Sequence, residues 1–519
     1  MLEAQVHSSL LGFLRTQPQP TWPHHLTLAR LVARSLRLGR SAMIQTAALP
    51  STYRLSYLAA LLLCSQAVVV VMPQVQQIGF LKHLQQLQTY FSTQKRVQSI
   101  RDASSDQQVA DIVLATPQHW LSDRLGRQTQ FPQGVPTLID GVDDLETWAR
   151  AMLTQTIRPS DWASLMEAIP TLTEPVEQIC LSLNQSLRDR PINPYGNYRL
   201  EPEFHTAIDQ LLTQLQSSEE ALPSPWPQFC QQWRHNPSLR WATLMTDSPT
   251  HQGQLHVAPL DLAPALTSLW QQQPTVLIGR FLGIERQGGE FWRDRLGLGE
   301  LTTIKFAPQP QQDLIQLYVP ERLPFPNSPA FQGRLLTQIL RLCRGGMLGQ
   351  RHGRHRPPEW ISPLKRPVVI IVEDTPLRRQ VSTALAAEFG SVVQLEVPHL
   401  EPESILVSGW DFWQAHQDEL PPPQLLIIAT LPIPSMENPL VAAQVQQRKQ
   451  QRQDWFQTYL LPVALQRLQR AVLPVRDRQG VVALLDNRVN HRSYGAHIFQ
   501  ALEPYARINY IDFQSLERV

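Results

Sequence analysis

The sequence predicts an α/β protein of two lobes, each built on a mostly parallel sheet, with a helical insertion in the first. Three observations carry this. Short runs rich in Val, Ile and Leu read as strands buried on both faces: Ala67–Met72, Asp111–Ala115, Thr137–Asp140, Thr275–Ile278, Val368–Val372, Leu425–Ala429 and Gly480–Leu485. Helical patterns such as Gly79–Phe91 and Leu377–Phe389 lie between them, and alternating strands and helices imply parallel sheets. The strands fall into two groups, before about residue 280 and after about residue 365, and 519 residues exceed what a single core usually covers.

Along the chain, a strand candidate at Ser41–Gln45 and a helix at Thr52–Leu63 flank the loop Ala47–Ser51. Pro50 and Ser51 suit a helix start, with Ser51 or Thr52 able to cap it. Leu58–Pro73 is the most apolar region, but Ser65 and Gln66 interrupt it and it is short for a membrane span. It reads as a helix end, a turn and a buried strand. From Leu145 to about Arg234 no strand candidate appears, and DWASLMEAIPTL and FHTAIDQLLTQLQ have helical spacing. The expected organisation is therefore a first lobe from 1–144 and 235–285, an insertion at 145–234, and a second lobe at 286–519. Arg344–Pro367 is rich in Gly, Arg and Pro and reads as a loop or linker; Gln446–Gln453 reads as a polar, exposed helix.

Composition narrows the class. Hydrophobic residues make up 42%, enough for sizeable cores and against global disorder. The net charge of +2 argues neither for nor against nucleic acid, so any basic surface must be local. Basicity is almost wholly Arg, since the only lysines are Lys82, Lys95, Lys305, Lys365 and Lys449. Cys64, Cys180, Cys230 and Cys343 form no CxxC pair, which argues against a zinc ribbon and an iron–sulfur cluster and fits a reducing compartment. The N-terminus lacks the basic and apolar regions of a signal peptide, so a cytoplasmic location without a membrane partner is expected.

The most informative block is Ile405–Gly495. It runs ILVSGWDFWQAH, then LLIIATLPIPSMENPL, then LPVALQRLQRAVLPVRDRQGVVALLDNRVNHRSYG. This order resembles the second motor domain of DinG/XPD-like superfamily 2 DNA helicases. Phe412 and Trp413 match the family's FWEG-type loop, and Leu431, Pro432, Pro434 and Pro439 its LPFxxP turn. Gln466 and Arg470 match the QGxGRxIR helix, and Asp477, Arg478 and Gly480 the DRG step with Gln479 inserted. Asp486, Arg488, Tyr494 and Gly495 match its end. In the first half, DIVLATPQHWL from Asp111 resembles the DIVxxxHxxL strand, LIDGVDDLE from Leu138 sits at the DEAH box, and TVLIGRFLG from Thr275 at the SAT element. The resemblance implies two RecA-like lobes, with the insertion standing where XPD-like helicases carry an arch domain. It also implies DNA as ligand, ATP and Mg²⁺ as cofactors, and repair or replication proteins as partners.

The chemistry that the resemblance implies is eroded. A phosphate loop needs glycine backbone close to the phosphates and a Lys on their oxygens. Here the position reads QTAALPSTYRLSYL from Gln45, with no glycine and no lysine before Lys82, and Pro50 offers no N–H. Asp140 remains as the Mg²⁺ carboxylate, but Gly141 stands at the adjacent Glu position. Arg470 remains while Leu473 replaces the second Arg, and Gln414, Ala415 and Gln417 replace the Glu, Gly and Asp of the FWEG-type loop. Asp140 and Arg470 are thus vestigial catalytic candidates, and Gln466, Arg54 and Asp143 the candidate nucleotide contacts. The loop is expected to be partly filled by Leu49, Tyr53 or Arg54 facing Asp140 and Arg470. For nucleic acid, the candidates are Trp413 and the basic stretch Arg344, Arg351, Arg354 and Arg356. The tryptophans fill the core or stack on bases; the arginines bind phosphate or form a solvated linker. The function expected is nucleic-acid binding without ATP hydrolysis, the alternative an active ATP-dependent DNA helicase.

Overall fold

The computed structural model describes residues 2–18, 21–99, 110–126, 130–191, 193–235, 237–245, 252–281, 290–344, 367–401, 403–509 and 511. Among them, strands numbered along the chain form three sheets. The first holds β1 (Ala42–Gln45), β2 (Val68–Val71), β3 (Val97–Ser99), β4 (Ile112–Ala115), β5 (Thr137–Asp140), β10 (Thr275–Gly279) and β11 (Thr302–Lys305). The second holds β12 (Ile315–Tyr318), β13 (Val368–Ile371), β14 (Val393–Leu395), β15 (Ile405–Ser408), β16 (Leu425–Ile428), β17 (Val481–Leu484) and β18 (Tyr505–Ile508). The third is formed by β6 (Gln155–Ile157), β7 (Asn197–Arg199), β8 (Ser238–Leu244) and β9 (Gly253–Pro259).

The first sheet runs β11-β1-β10-β5-β2-β4-β3 and the second β14-β15-β13-β16-β17-β12-β18, with every pairing parallel. Helices cover both faces of each sheet, as parallel sheets require. This is why the central strands are continuous apolar runs. Val68–Val71 are all fully buried, each worth roughly 1.5–3 kcal/mol relative to exposure. On the first sheet, helices His25–Leu38, Pro50–Leu63 and Gln74–Phe91 pack on one face, and Pro117–Leu125, Leu145–Leu153 and Ala263–Gln272 on the other. In β5 and β10 the alternation sends Leu138 and Ile278 to the first face and Ile139 and Leu277 to the second. Two parallel α/β lobes are thus present as the sequence predicts.

Three details differ from expectation. The helix after β1 begins at Pro50, with Leu49 at the N-cap and no side-chain cap from Ser51 or Thr52. The insertion is not all helical: β6 and β7 lie in it and pair antiparallel with β9 and β8, which were expected in the first lobe. Three-residue strands such as QTI and NYR carry too few apolar residues to register as runs. Finally β11, expected in the second lobe, hydrogen-bonds to β1 at the edge of the first sheet. Its sequence, TTIK, is half-exposed and lacks the signature of a central strand.

The insertion has its own core around Trp226, Phe229, Trp233 and Leu211. It also touches the second lobe. Leu239, Trp241, Ala258 and Leu260 pack with Leu440 and Ala443 of helix Pro439–Gln450, and Gln444 Nε2 donates to the Leu260 carbonyl (2.7 Å).

Candidate functional site at the cleft between the lobes

The C-terminal ends of β1, β5 and β10 face helix Leu461–Arg476 of the second lobe, and every candidate nucleotide residue lies there. Asp140 ends β5 and is 1% exposed. Its carboxylate is filled from helix Pro50–Leu63. The Tyr53 hydroxyl donates to Oδ1 (2.5 Å), and Arg54 Nε (2.9 Å) and the Tyr57 hydroxyl (2.8 Å) donate to Oδ2. Positions i, i+1 and i+4 share one side of a helix, so a single helical turn delivers all three donors. Burial, then the charge of Asp140, push both phenols well above their usual range, so their protons stay in place to donate. Burial opposes the charge of Arg54, but Asp140 and the two tyrosines outweigh it and hold its proton more tightly than usual. Arg54 also reaches the Gln76 side-chain carbonyl.

Arg470 does not face Asp140. Its Nη1 and Nη2 cross the cleft to Asp144 Oδ1 (2.6 Å) and Oδ2 (2.9 Å) in a bidentate pair. Burial works against its charge; Asp144 and Asp143 outweigh that and raise its pKa. Gln466 Nε2 donates across the same cleft to the Asp143 carbonyl (3.0 Å). The Asp143 carboxylate turns inward and accepts the backbone N–H groups of Arg280 (2.7 Å) and Phe281 (2.9 Å); burial raises its pKa. Asp143 therefore fastens the end of β10. In the opposite sense Arg280 Nη1 reaches Asp418 Oδ1 (2.9 Å). With its amide turned so that both ends are satisfied, Gln417 donates to the Arg470 carbonyl (2.9 Å) and accepts from Arg280 Nη1 (3.2 Å).

Part of the donor capacity at the start of the loop is already used. The N–H groups of Thr46 and Ala47 donate to the carbonyls of Gly279 and Arg280, and Pro50 has none. Ala47 sits at φ +48, the left-handed region where a glycine would normally stand. Tyr53 and Arg54 occupy the space against Asp140, as the sequence leads one to expect. The same expectation fails toward Arg470. A cavity of about 400 Å³ remains there, lined by Ala47, Arg280, Lys305, Phe306, Arg470 and Arg476 among others. The side chains that fill the loop turn into the lobe toward Asp140, and so leave the Arg470 side open. Arg476 is not aimed at a ligand: it donates to the carbonyls of Asp313, Leu502, Glu503 and Pro504, and burial lowers its pKa to about 10.

These residues do not fit a Mg²⁺–triphosphate. Both Asp140 oxygens already accept from protein donors, no lysine approaches the loop from its own helix, and Gly141 leaves no carboxylate beside Asp140. Gly141 itself has φ +114, and a Cβ there would lie 3.0 Å from the Trp148 ring, so the backbone no longer accommodates a glutamate. No group of three His, Cys, Asp or Glu side chains is arranged to hold a metal among the described residues, and no described helix is long and apolar enough to cross a membrane.

The nucleic-acid candidates fare less well. Trp413 is fully buried, its Nε1 donating to the Ala471 carbonyl (3.3 Å), so it is core and cannot stack on a base. Arg344 is ion-paired with Glu388. Arg351, Arg354 and Arg356 lie outside the described residues. Arg280, Tyr57, Asp144 and Asp418 were not singled out in the sequence as a network. The one available signal was an Arg directly after β10 opposite an acidic residue after Trp413.

Residues 415–505 match the helicase C-terminal domain family. The fold of the whole chain is similar to Xpd4 of S. tokodaii, with a TM-score of 0.59 at 12% identity over 94% of this chain and 100% of that one. It is likewise similar to a structure of XPD in its apo form (TM-score 0.59, 11% identity, 93% and 100% covered). A further XPD helicase structure gives a TM-score of 0.59 at 11% identity, with 95% and 100% covered. No curated protein sequence matches it.

Proposed function

Starting from a chain with the fold of an XPD/DinG-like superfamily 2 helicase and a helicase-type C-terminal domain, we propose that it binds nucleic acid across its lobes without hydrolysing ATP. The observation that carries this is Asp140. In a motor of this fold the carboxylate at that position must take Mg²⁺. Here both oxygens accept from Tyr53, Arg54 and Tyr57, and the carboxylate is buried. Displacing Arg54 would strand a buried charge, at a cost of several kcal/mol. Arg470 is likewise engaged by Asp144 rather than poised over a phosphate.

The cavity beside Ala47 and Arg470 favours a second reading, an active DNA helicase whose nucleotide site is reshaped. One set of measurements separates the two. Titration with a fluorescent ATP analogue and a DNA-stimulated phosphate-release assay should both be flat, in the wild type as in Asp140→Ala. Labelled single strands should bind, and more weakly as salt rises. DNA-dependent turnover that disappears in Asp140→Ala would sink the non-hydrolysing reading. The part played in repair or replication belongs to the same proposal and would show in which proteins co-purify with the full chain.

A further inference from the structure

Where the insertion meets the second lobe, a cleft of about 510 Å³ opens between them. Arg199 of β7, Arg234 of helix Trp226–Arg234 and Arg240 of β8 line one wall, and Ala442 and Gln446 of helix Pro439–Gln450 line the other. None of the three arginines is ion-paired among the described residues, in contrast to Arg54, Arg280 and Arg470 in the inter-lobe cleft. Two of them are nonetheless held. Arg240 lies over the Trp233 ring, 4.5 Å from its centroid, with Nη2 on the Trp233 carbonyl (2.5 Å) and Nε on the Ser238 hydroxyl (3.1 Å). Arg234 Nη2 donates to the Leu212 carbonyl (2.6 Å). Carbonyl partners fix a guanidinium without neutralising it, so these charges are positioned without a direct ion pair, and only Arg240 is partly offset, by Asp209. The acid in the cleft, Asp209, accepts from Trp233 Nε1 (2.8 Å). His205 beside them has its pKa lowered by burial and then by Arg240, as expected in positive surroundings.

We infer that this cleft is a phosphate-backbone site for single-stranded nucleic acid, gripped between the insertion and the second lobe. The inference rests on the nucleic-acid reading above and gives it a location the sequence did not supply. Single-strand sites combine a cationic groove that tracks the backbone with flat surfaces that accept bases. Arg234 and Arg199 supply the charge. Arg240 presents a guanidinium plane already fixed on one side by Trp233, and such planes stack on unpaired bases. The cleft spans two separately cored bodies, so a strand lying in it would fasten the insertion to the second lobe.

The test uses the full chain and fluorescence anisotropy with a labelled oligo(dT) probe at several salt concentrations. The variant Arg199→Glu/Arg234→Glu changes two exposed residues outside every core, and a second variant, Arg240→Gln, keeps a planar polar group over Trp233. Circular dichroism melts confirm that each is folded. The double variant is expected to bind at least about tenfold more weakly, whatever the strand sequence, with a salt slope smaller by about 1.4 for two lost phosphate contacts. Arg240→Gln should weaken binding by a smaller factor. Unchanged affinity and slope in the folded double variant, beside a wild type that binds, would overturn this site and leave the nucleic-acid reading standing. A wild type that binds no strand at any salt concentration would overturn both.

Discussion

Gly141 follows Asp140 directly and has a backbone that favours glycine. At φ +114, with the Trp148 ring 3.0 Å from a would-be Cβ, the position has become one for glycine. Placing an acid there as Gly141→Glu is therefore expected to lower stability by about 1–3 kcal/mol, read as a lower urea midpoint, and to add no phosphate release. Asp140 makes the complementary case. Asp140→Ala leaves the buried Arg54 charge and two phenols without their acceptor, so a loss of about 3–5 kcal/mol is expected. A change within about 0.5 kcal/mol would show that the cluster is not structural. His256 in the insertion titrates in the opposite direction from a paired base. Thr156 and Thr243 hydroxyls hold its two ring nitrogens, and burial lowers its pKa from 6.5 to about 4. The unfolded chain takes the proton first, so stability is present above pH 6.5 and falls as the pH drops toward 4. The shift converts to about 3 kcal/mol at roughly 1.4 kcal/mol per pKa unit. Urea melts at pH 7 and pH 4.5 should show the loss, and His256→Gln should reduce it, leaving the part due to His25, whose pKa burial also lowers to about 4.

At the scale of single elements, helix Pro50–Leu63 follows β1 and turns its first side chains into the lobe. In a phosphate-binding motor its N-terminus faces the ligand. Here its first turns face inward, with Tyr53, Arg54 and Tyr57 all buried against β5. The helix that starts at Gly495 depends on its glycine for packing. A Cβ at Gly495 would stand 2.0 Å from the Val489 carbonyl, closer than any real contact. Gly495→Ala is expected to destabilise the second lobe by about 1–3 kcal/mol or more, with no effect on the first, as hydrogen exchange resolved by lobe would show. Asp486 is likewise structural. It is fully buried, accepts the Leu431 N–H (2.8 Å) and clamps Arg488, so it holds the turn that begins at Leu431.

Across the whole molecule the two lobes are joined by side-chain contacts over the cleft. Arg470–Asp144, Arg280–Asp418 and Gln466 on the Asp143 carbonyl all cross the cleft, and Arg295, paired with Glu146, lies over the Tyr459 ring (5.1 Å). Calorimetry of the wild type should then show a single transition for the two lobes. The double variant Arg280→Ala/Arg470→Ala should split it. Removing Arg470 from its pair is expected to cost at most about 3 kcal/mol, the low end for breaking a buried pair, because Asp144 is 34% exposed and regains water. Small-angle scattering of the wild type should not change on adding an ATP analogue; compaction on adding it would point to the helicase reading.

The sequence by itself determined the two parallel sheets, because strands buried on both faces must be apolar throughout and such runs are visible as letters. It also determined that the segment between β1 and the helix Pro50–Leu63 carries neither glycine nor lysine, since those absences need no coordinates. The tertiary structure alone decided which charges pair across the cleft. The partner of a buried charge is chosen by where two distant segments meet, so Arg470 opposite Asp144 and Arg280 opposite Asp418 lie far apart in the chain and close in space. For the same reason Trp413, which as a letter fits a base platform or a core, is settled as core by the helix Leu461–Arg476 packed against it. The short strands of the insertion were likewise invisible, because a three-residue edge strand is specified by the neighbour it pairs with and not by a pattern of its own.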